Sequence, residues 1–390
     1  MRVLICGLLN TPNGDAGALR QHKLAIMCRE LGYESLVVGL GKSNGMKHES
    51  IDGITYVSLR EGVGNVRDKI MSHLRYWKQL GKEMATYRPD VIIMDDLGPA
   101  KTIKLKQYCK KNKIRLIHDS VEWYSPEQFK HGKFSMSYIR KDGLNRFLID
   151  KSCGVIAISR YLEEHFKSKG CQCVRIPIVI TDADLCKEKD LPADKIVFTY
   201  AGQPGKKDYL HVMLDAFALL PDNLLQRVIF NIVGCTKEQM LAAGISGEVL
   251  EKLNKQLVIH GRVSHEEVLH ILKGTHFTLL MRSPVQRYAK AGFPTKVVES
   301  LSRSTPVICN LTSDLGLYLR NEANALIVEE CNPQSLYQQL AKAITMSHEQ
   351  RATMCYNARE LACKHFMCAV FLQSLQEIMS DGRCLRQVSQ

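Results

Sequence analysis

Residues 291–310 read Ala-Gly-Phe-Pro-Thr-Lys-Val-Val-Glu-Ser-Leu-Ser-Arg-Ser-Thr-Pro-Val-Ile-Cys-Asn. They open with a glycine turn, run through a short helix and end in a buried strand that begins at Pro306. Pro294 suits the first turn of that helix, because its missing N–H is one the helix could not use. The N–H groups of Thr295, Lys296 and Val297 then face whatever precedes the helix. Together with the positive end of the helix dipole and the Lys296 charge, they make a ready anion site. Glu299, one turn further, is a carboxylate able to accept hydrogen bonds from paired hydroxyls. A phosphate beside a diol is what a nucleoside diphosphate presents. The spacing alone is equally that of a capped helix feeding a strand, with Glu299 turned to solvent.

Outward from this stretch, strand-like runs alternate with helical ones along the whole chain, the pattern of α/β layers with parallel sheets. The first half shows runs at 3–9, 35–38, 54–58, 91–94, 115–117, 155–159 and 174–176. Each is short and mostly apolar, as in strands covered on both faces. The second half shows them at 196–200, 228–233, 257–260, 277–281, 306–309 and 325–328. A helix over 19–31 is stopped by Gly32. The stretch 178–191 mixes charges and loses periodicity, which places a hinge there. Its Asp182-Ala-Asp184 has the form of a metal-binding triplet, but a cap on a short helix is the expected role, with no metal.

With 390 residues the chain has room for two domains, each with a full core. No run of 18 or more apolar residues occurs, so no membrane-spanning helix is expected. Met1-Arg2 leads straight into a strand, without the cleavage site of a signal peptide. The 14 cysteines lack CxxC spacing and several fall in buried strands, as expected of reduced thiols in a cytoplasmic protein. Charge is uneven: residues 1–180 hold 30 Lys+Arg against 18 Asp+Glu, and residues 181–390 hold 23 against 22. Nearly all of the net +13 therefore belongs to the first half, which suits a polyanion or an anionic membrane surface. Residues 65–88, with Arg67, Lys69, His73, Arg75, Lys78 and Lys82 among Val66, Ile70, Met71, Leu74 and Leu80, fit an amphipathic helix on an anionic leaflet or a merely solvated basic face. A second basic run lies at 101–113. No recognised module or interleaved aromatic platform points to nucleic acid.

Several polar groups fall where strands end. In the loop from Asn10 to Arg20, Gly14 and Gly17 allow close backbone approach to a ligand, without the GxGxxG dinucleotide spacing. Gly202-Gln203-Pro204-Gly205-Lys206-Lys207-Asp208 sets a glycine turn and a lysine before a helix, again suited to phosphate. Gly261-Arg262-Val263 leads into Ser264-His265-Glu266-Glu267, a capping box. His118-Asp119-Ser120-Val121-Glu122-Trp123-Tyr124 follows the strand at 115–117, at the carboxyl end where open α/β sheets gather ligands. There His118 could contact a ligand hydroxyl, Asp119 and Glu122 could accept hydrogen bonds or a proton, and Trp123 and Tyr124 could stack on a ring. A strand-end histidine is equally often buried structure.

The succession Gly292-Phe293, then Glu299, then Pro306-Val307-Ile308 resembles the signature of family 4 retaining glycosyltransferases (glycosyl transferases group 1) of the polysaccharide-biosynthesis type. Their GT-B fold carries Glu-Gly-Phe-Gly, four residues, then Glu-Ala before a Pro-Val-Ile strand. Ala291 stands in place of the first glutamate, which in the family helps hold the donor sugar, and Pro294 in place of the second glycine. Gly202 matches a family glycine, while Gln203 replaces the usual arginine and Lys207-Asp208 the usual Lys-Gly pair. Arg282, or Arg287 and Lys290, are the candidates to make up the missing cation.

The resemblance implies two Rossmann-like parallel-sheet domains facing across a cleft. Residues 1–180 would bind the acceptor, 195–365 the nucleotide sugar, and a C-terminal helix in 366–390 would cross back to the first domain. It implies transfer with retention from a nucleoside-diphosphate sugar, UDP by preference, to a saccharide or lipid-linked acceptor. No metal or other cofactor is expected, and domain closure would exclude water. His118, Lys207 and Glu299 are the expected catalytic residues. Gly14, Gly17, Gly202, Gln203, Arg262, Val263, Arg282, Gly292, Phe293, Thr295, Lys296 and Glu299 are expected at the donor, and Asp119, Glu122, Trp123 and Tyr124 at the acceptor. The setting implied is cell-surface polysaccharide or glycoconjugate synthesis, in the cytoplasm or on the inner face of the membrane. Ala291 and Gln203 also fit a catalytically weak binding or regulatory subunit, and the fold also serves nucleotide-sugar epimerases.

Overall fold

The computed structural model of the chain describes residues 1–10, 16–41, 47–60, 66–186, 189–192, 194–202 and 207–380. They form two compact units: residues 1–179 with 368 onward, and residues 180–367.

The first unit begins with β1 (Arg2–Asn10), α1 (Ala16–Glu30), β2 (Glu34–Gly41), β3 (Lys47–Ile51) and β4 (Ile54–Arg60). It continues through α2 (Val66–Tyr87), β5 (Val91–Met94), α3 (Pro99–Asn112) and β6 (Arg115–Ser120). Then come α4 (Met136–Gly143), β7 (Gly154–Ala157), α5 (Arg160–Ser168) and β8 (Gln172–Arg175). The sheet order is β3-β4-β2-β1-β5-β6-β7-β8, parallel except for β3 against β4. Register sets Cys6, Met94, His118 and Val155 level across β1, β5, β6 and β7. The winding reverses between β1 and β5, so loops leaving their carboxyl ends diverge and leave a crevice.

Sequence periodicity missed β3, whose Lys-His-Glu-Ser-Ile is polar and sits on the sheet edge. Its hairpin signal is Asp52-Gly53, with both φ angles positive (52° and 72°), the pair a two-residue type I′ turn requires. Gly32, at φ 74°, ends α1 as expected. In α2, Tyr76, Leu80 and Met84 are buried in the unit, while Met71 and Leu74 are exposed, so only part of the helix's apolar stripe serves the core. Its basic residues Arg75 and Lys78 remain exposed, and the side chains of Arg67, Lys69 and His73 lie outside the described residues.

The second unit carries β9 (Ile196–Ala201), β10 (Val228–Val233), β11 (Leu257–Gly261), β12 (Phe277–Leu280), β13 (Val307–Asn310) and β14 (Ala325–Val328). All are parallel, in the order β11-β10-β9-β12-β13-β14, and the winding reverses between β9 and β12. Phe198, Phe217, Phe230 and Phe277 stack at its centre, with Phe217 and Phe230 only 4.5 Å apart. The last helix of this unit, His348–Phe366, is followed by Leu372–Met379, which packs on the first unit. There Leu375 and Ile378 join Val3, Ile5 and Ile117 in one core. Among the described residues no helix is long and apolar enough to cross a membrane, and no cysteine forms a disulfide.

Candidate functional site

The second unit's site is built where β9 and β12 end, at the reversal of its sheet order. β9 closes with Ala201-Gly202, and β12 delivers Arg282 two residues past its end. Asp208 bridges to Arg282 backbone to backbone, and Tyr209 N–H donates to Met281 O at 2.8 Å, so the loop after Lys207 lies against the end of β12. Tyr288 O–H donates to Lys207 O at 2.7 Å and ties the same loop to the following short helix.

Asp208 is the hub. It is buried, and its Oδ1 accepts Arg282 Nε–H at 2.8 Å while its Oδ2 accepts Tyr200 O–H at 3.1 Å and the Lys296 ammonium. Burial alone would raise the Asp208 carboxyl, but Lys296 and then Arg282 outweigh it and hold it well below the usual carboxylate range. Lys296 also lies 4.7 Å from the centre of the Tyr200 ring. A side chain at Gly202 would collide with the Lys296 ammonium and the Tyr200 hydroxyl, so only glycine admits both. Arg282 is pinned along its backbone: its N–H donates to Asn310 Oδ1 at 2.9 Å and its carbonyl accepts Asn310 Nδ2–H at 2.8 Å. Only Nε of its guanidinium has a partner among the described residues, which leaves its Nη donors for a ligand.

The helix of the opening stretch spans Thr295–Ser302, with Pro294 as its cap residue rather than its first turn. Val297 N–H turns back to Pro294 O at 3.1 Å, so the unpartnered donors there are those of Thr295 and Lys296 alone. Gly292 N–H is likewise taken, by Tyr288 O at 3.0 Å. Glu299 is half-buried and accepts no hydrogen bond among the described residues. Burial, with Asp184 second, raises its carboxyl to about 7 against the opposing pull of Lys296 and Arg303. The arrangement is two clamped cations, two open backbone donors and an unsatisfied carboxyl within one short helix and its neighbours. That set can take an anion together with a hydroxyl pair.

The first unit's reversal point presents Asp95 and Asp96 just past β5, a pair that sequence reading passed over. Asp95 is half-buried; burial and then the Asp119 charge raise its carboxyl to about 7, against the Asp96 N–H it accepts at 2.7 Å. Asp96 accepts Gly98 N–H at 2.8 Å and pairs with Lys141 at 3.1 Å. The legible signal was two carboxylates followed by Leu-Gly directly after an apolar run.

Four of the expected site side chains are buried. Asp119 is held by Arg20 through two bonds of 2.8 Å, both side chains nearly inaccessible, and Arg20 also donates to the carbonyls of Pro177 and Ile176. Both of its carboxylate oxygens are thereby engaged by Arg20. Trp123 is buried, with Nε1–H on Asp142 at 2.8 Å and its ring 4.4 Å from His165, so it presents no open face. His118 is 3 % exposed and edge-on to Phe166, and burial lowers its pKa despite Asp119 and Asp96. It is a neutral interior imidazole whose Nδ1 has no partner among the described residues. Phe293 packs in the core against Tyr318 and Phe366, at 5.9 and 5.8 Å, leaving only its backbone for a ligand.

Of the rest, Glu122 and Tyr124 are half-buried and bonded to each other, with the Lys141 ammonium 4.4 Å over the tyrosine ring. Arg262 is exposed and Val263 half-buried after β11, where Ser264 caps the next helix by accepting Glu267 N–H at 3.2 Å. Lys207 and Thr295 are half-buried, and Gly17 lies in the first turn of α1. Gly14 and Gln203 lie outside the described residues. Asp184 accepts Thr181 N–H and O–H at 2.7 and 2.8 Å, so the Asp-Ala-Asp triplet is a cap. Among the described residues no cluster of three or more His, Cys, Asp or Glu could hold a metal ion. Ala291 is fully buried.

Residues 182–361 match the family model described as Glycosyl transferases group 1. The fold is that of GT-B glycosyltransferases. Over the full length of both chains it is similar to sucrose-phosphate synthase from Thermosynechococcus elongatus, with a TM-score of 0.78 at 14% identity. WaaG, a glycosyltransferase involved in lipopolysaccharide biosynthesis, aligns over 97% of this chain and 100% of its own, with a TM-score of 0.70 at 14% identity. Anabaena HepE, solved with UDP and glucose, aligns over 97% and 98%, with a TM-score of 0.68 at 14% identity. A comparison with curated protein sequences gives no match.

Proposed function

We propose that this chain is a family 4 glycosyltransferase that moves a sugar from a nucleoside diphosphate, UDP by preference, to a saccharide or lipid-linked acceptor with retention. The observation that carries the reading is the cluster at the β9–β12 reversal: Arg282 and Lys296 clamped by Asp208, with the unsatisfied Glu299 one helical turn away. Arg282 Nη donors, the Lys296 ammonium and the N–H groups of Thr295 and Lys296 would meet the diphosphate. Glu299 would accept the ribose hydroxyls, and the backbone at Arg262 and Val263 would face the base. HepE, a fold neighbour, was solved with UDP, which supports that choice of nucleotide.

In the proposed reaction the bond from anomeric carbon to diphosphate oxygen breaks as the acceptor oxygen bonds to that carbon on the same face. The acceptor's proton passes to the leaving phosphate. The fixed donors stabilise the charge that develops on the leaving group, which is worth most in a site already organised around it. Asp95 and Asp96, with Glu122 and Tyr124, are the acceptor groups of the first unit in this account. Lys207 is a further cation for the diphosphate. The setting is cell-surface polysaccharide or glycoconjugate synthesis from the cytoplasmic side, with peripheral contact to an anionic membrane. The test is UDP release from a panel of UDP-sugars with candidate acceptors, with the product anomer read by NMR. Inversion would reject the family 4 assignment.

A second reading, a subunit that binds nucleotide without transfer, is favoured by buried Ala291 standing where the family holds the donor sugar. It predicts UDP binding with no acceptor-dependent UDP release. An epimerase would consume the UDP-sugar with no acceptor present.

A further inference from the structure

In the first unit, Met136, Ile139, Arg140, Gly143 and Phe147 recur at helical spacing along α4 and the wide turn Leu144–Leu148 that continues it. Apolar residues at that spacing ordinarily face a core. Here Met136 is 78 % exposed, Phe147 77 % and Ile139 49 %, and Phe134 just before the helix is 88 % exposed. The opposite side of the helix sends Tyr138 inward, so the outward stripe is not a packing surface left over from the core. With Pro99 and Leu148 the stripe lines an open, almost wholly apolar groove of roughly 560 Å³.

The rim is basic. Arg140, Lys130 and Lys133 are exposed and have no carboxylate partner among the described residues. Arg140 packs beside Gly98, and Lys101 donates to Leu97 O at 3.3 Å, so two cations flank one short loop. Their mutual repulsion lowers the Lys101 pKa after burial has done so. Lys104, on the same helix as Lys101, sits 5.9 Å over the Trp77 ring and links this face to α2.

We propose that this face, Phe134 to Phe147 with its rim of Arg140, Lys130, Lys133 and Lys101, docks onto an anionic phospholipid bilayer. Phe134, Met136 and Phe147 enter the boundary between headgroups and acyl chains, and the cations meet lipid phosphates. An interfacial helix uses this division of labour, aromatic and aliphatic residues inward with Lys and Arg at headgroup level. A second copy of the same chain is disfavoured as the occupant, because it would bring an identical positive rim. The inference deepens the peripheral contact named above and places it on α4. It does not depend on sugar transfer.

The experiment is co-sedimentation of the full chain with phosphatidylcholine vesicles, with and without phosphatidylglycerol. The wild type should sediment with the anionic vesicles and dissociate as salt rises. The pair Phe134→Ser and Phe147→Ser should lower the bound fraction about tenfold, and Lys133→Glu with Arg140→Glu by at least as much. All four positions are exposed, so circular dichroism and UDP binding should match the wild type. Wild type that sediments while both variants sediment equally well would overturn the assignment of this face and leave peripheral contact standing. No sedimentation of wild type overturns both. A wild-type dimer that becomes monomeric in the Phe134→Ser, Phe147→Ser variant would show a second copy as the occupant and would also overturn it.

Discussion

Asp208 Oδ1 accepts the Nε–H of Arg282 at 2.8 Å, and the other oxygen of the same carboxylate holds Lys296. The two cations nearest the proposed diphosphate are therefore held in place before any ligand arrives, at the cost of one negative charge. Asp208→Asn leaves two largely buried cations with weakened partners. Breaking a buried pair costs about 3–5 kcal/mol, and Lys296 is 30 % exposed, so a loss of roughly 3 kcal/mol is expected. Urea denaturation reads it; a loss under 1 kcal/mol would mean the clamp contributes little.

Gly202→Ala should weaken UDP binding more than it lowers stability. The new methyl would displace the flexible Lys296 end from its place beside Asp208, while the fixed Tyr200 hydroxyl lies 2.9 Å from it. Calorimetry and a thermal melt on the same sample separate the two effects. Unchanged affinity would remove Lys296 from the site.

Glu299 makes stability and binding depend on pH in opposite senses. Its carboxyl titrates near 7 in the folded chain and near 4.5 unfolded, so between those values the folded state carries the extra proton. Stability should fall as pH rises from 4.5 to 7, and this contribution is lost above 7. Glu299→Gln should be more stable than wild type at pH 8 and about equal to it at pH 4.5. UDP affinity of the wild type should instead rise from pH 6 to 8, because the ionised carboxylate is the better acceptor for a diol. The glutamine variant should bind about tenfold or more weakly at pH 8, as removal of a charge-assisted hydrogen bond predicts. A wild-type affinity flat across that range would take the ribose away from Glu299.

Arg20 and Asp119 form a doubly bonded, nearly inaccessible pair, so Asp119→Asn should cost about 3–5 kcal/mol in stability. Sugar transfer per folded molecule should stay near wild type. A strong loss of turnover with stability intact would return Asp119 to the acceptor site.

Backbone pattern and backbone-level chemistry were legible in the sequence. Every apolar run at 3–9, 91–94 or 325–328 became a strand, because a strand covered on both faces has to be apolar throughout. The polar edge strand β3 carries no such signature, and only its Asp52-Gly53 turn betrays it. At the site, the open donors of Thr295 and Lys296 and the carboxyl of Glu299 follow from local spacing along one helix. What the spacing does not contain is pairing across the chain. Asp208 meets Lys296 across 88 positions and Arg20 meets Asp119 across 99, so a carboxylate that reads as a ligand group can be a clamp or a core ion pair. Trp123 and His118 are obscured in the same way, since burial is decided by elements distant in sequence, α5 among them.

If the β9–β12 reversal is a nucleotide-diphosphate site anchored by Arg282, calorimetric titration of UDP at pH 8 should separate wild type from Arg282→Ala. The wild type should bind saturably, one to one, and the variant at least about tenfold more weakly. No UDP binding by the wild type, or equal affinity in both proteins, would contradict that assignment.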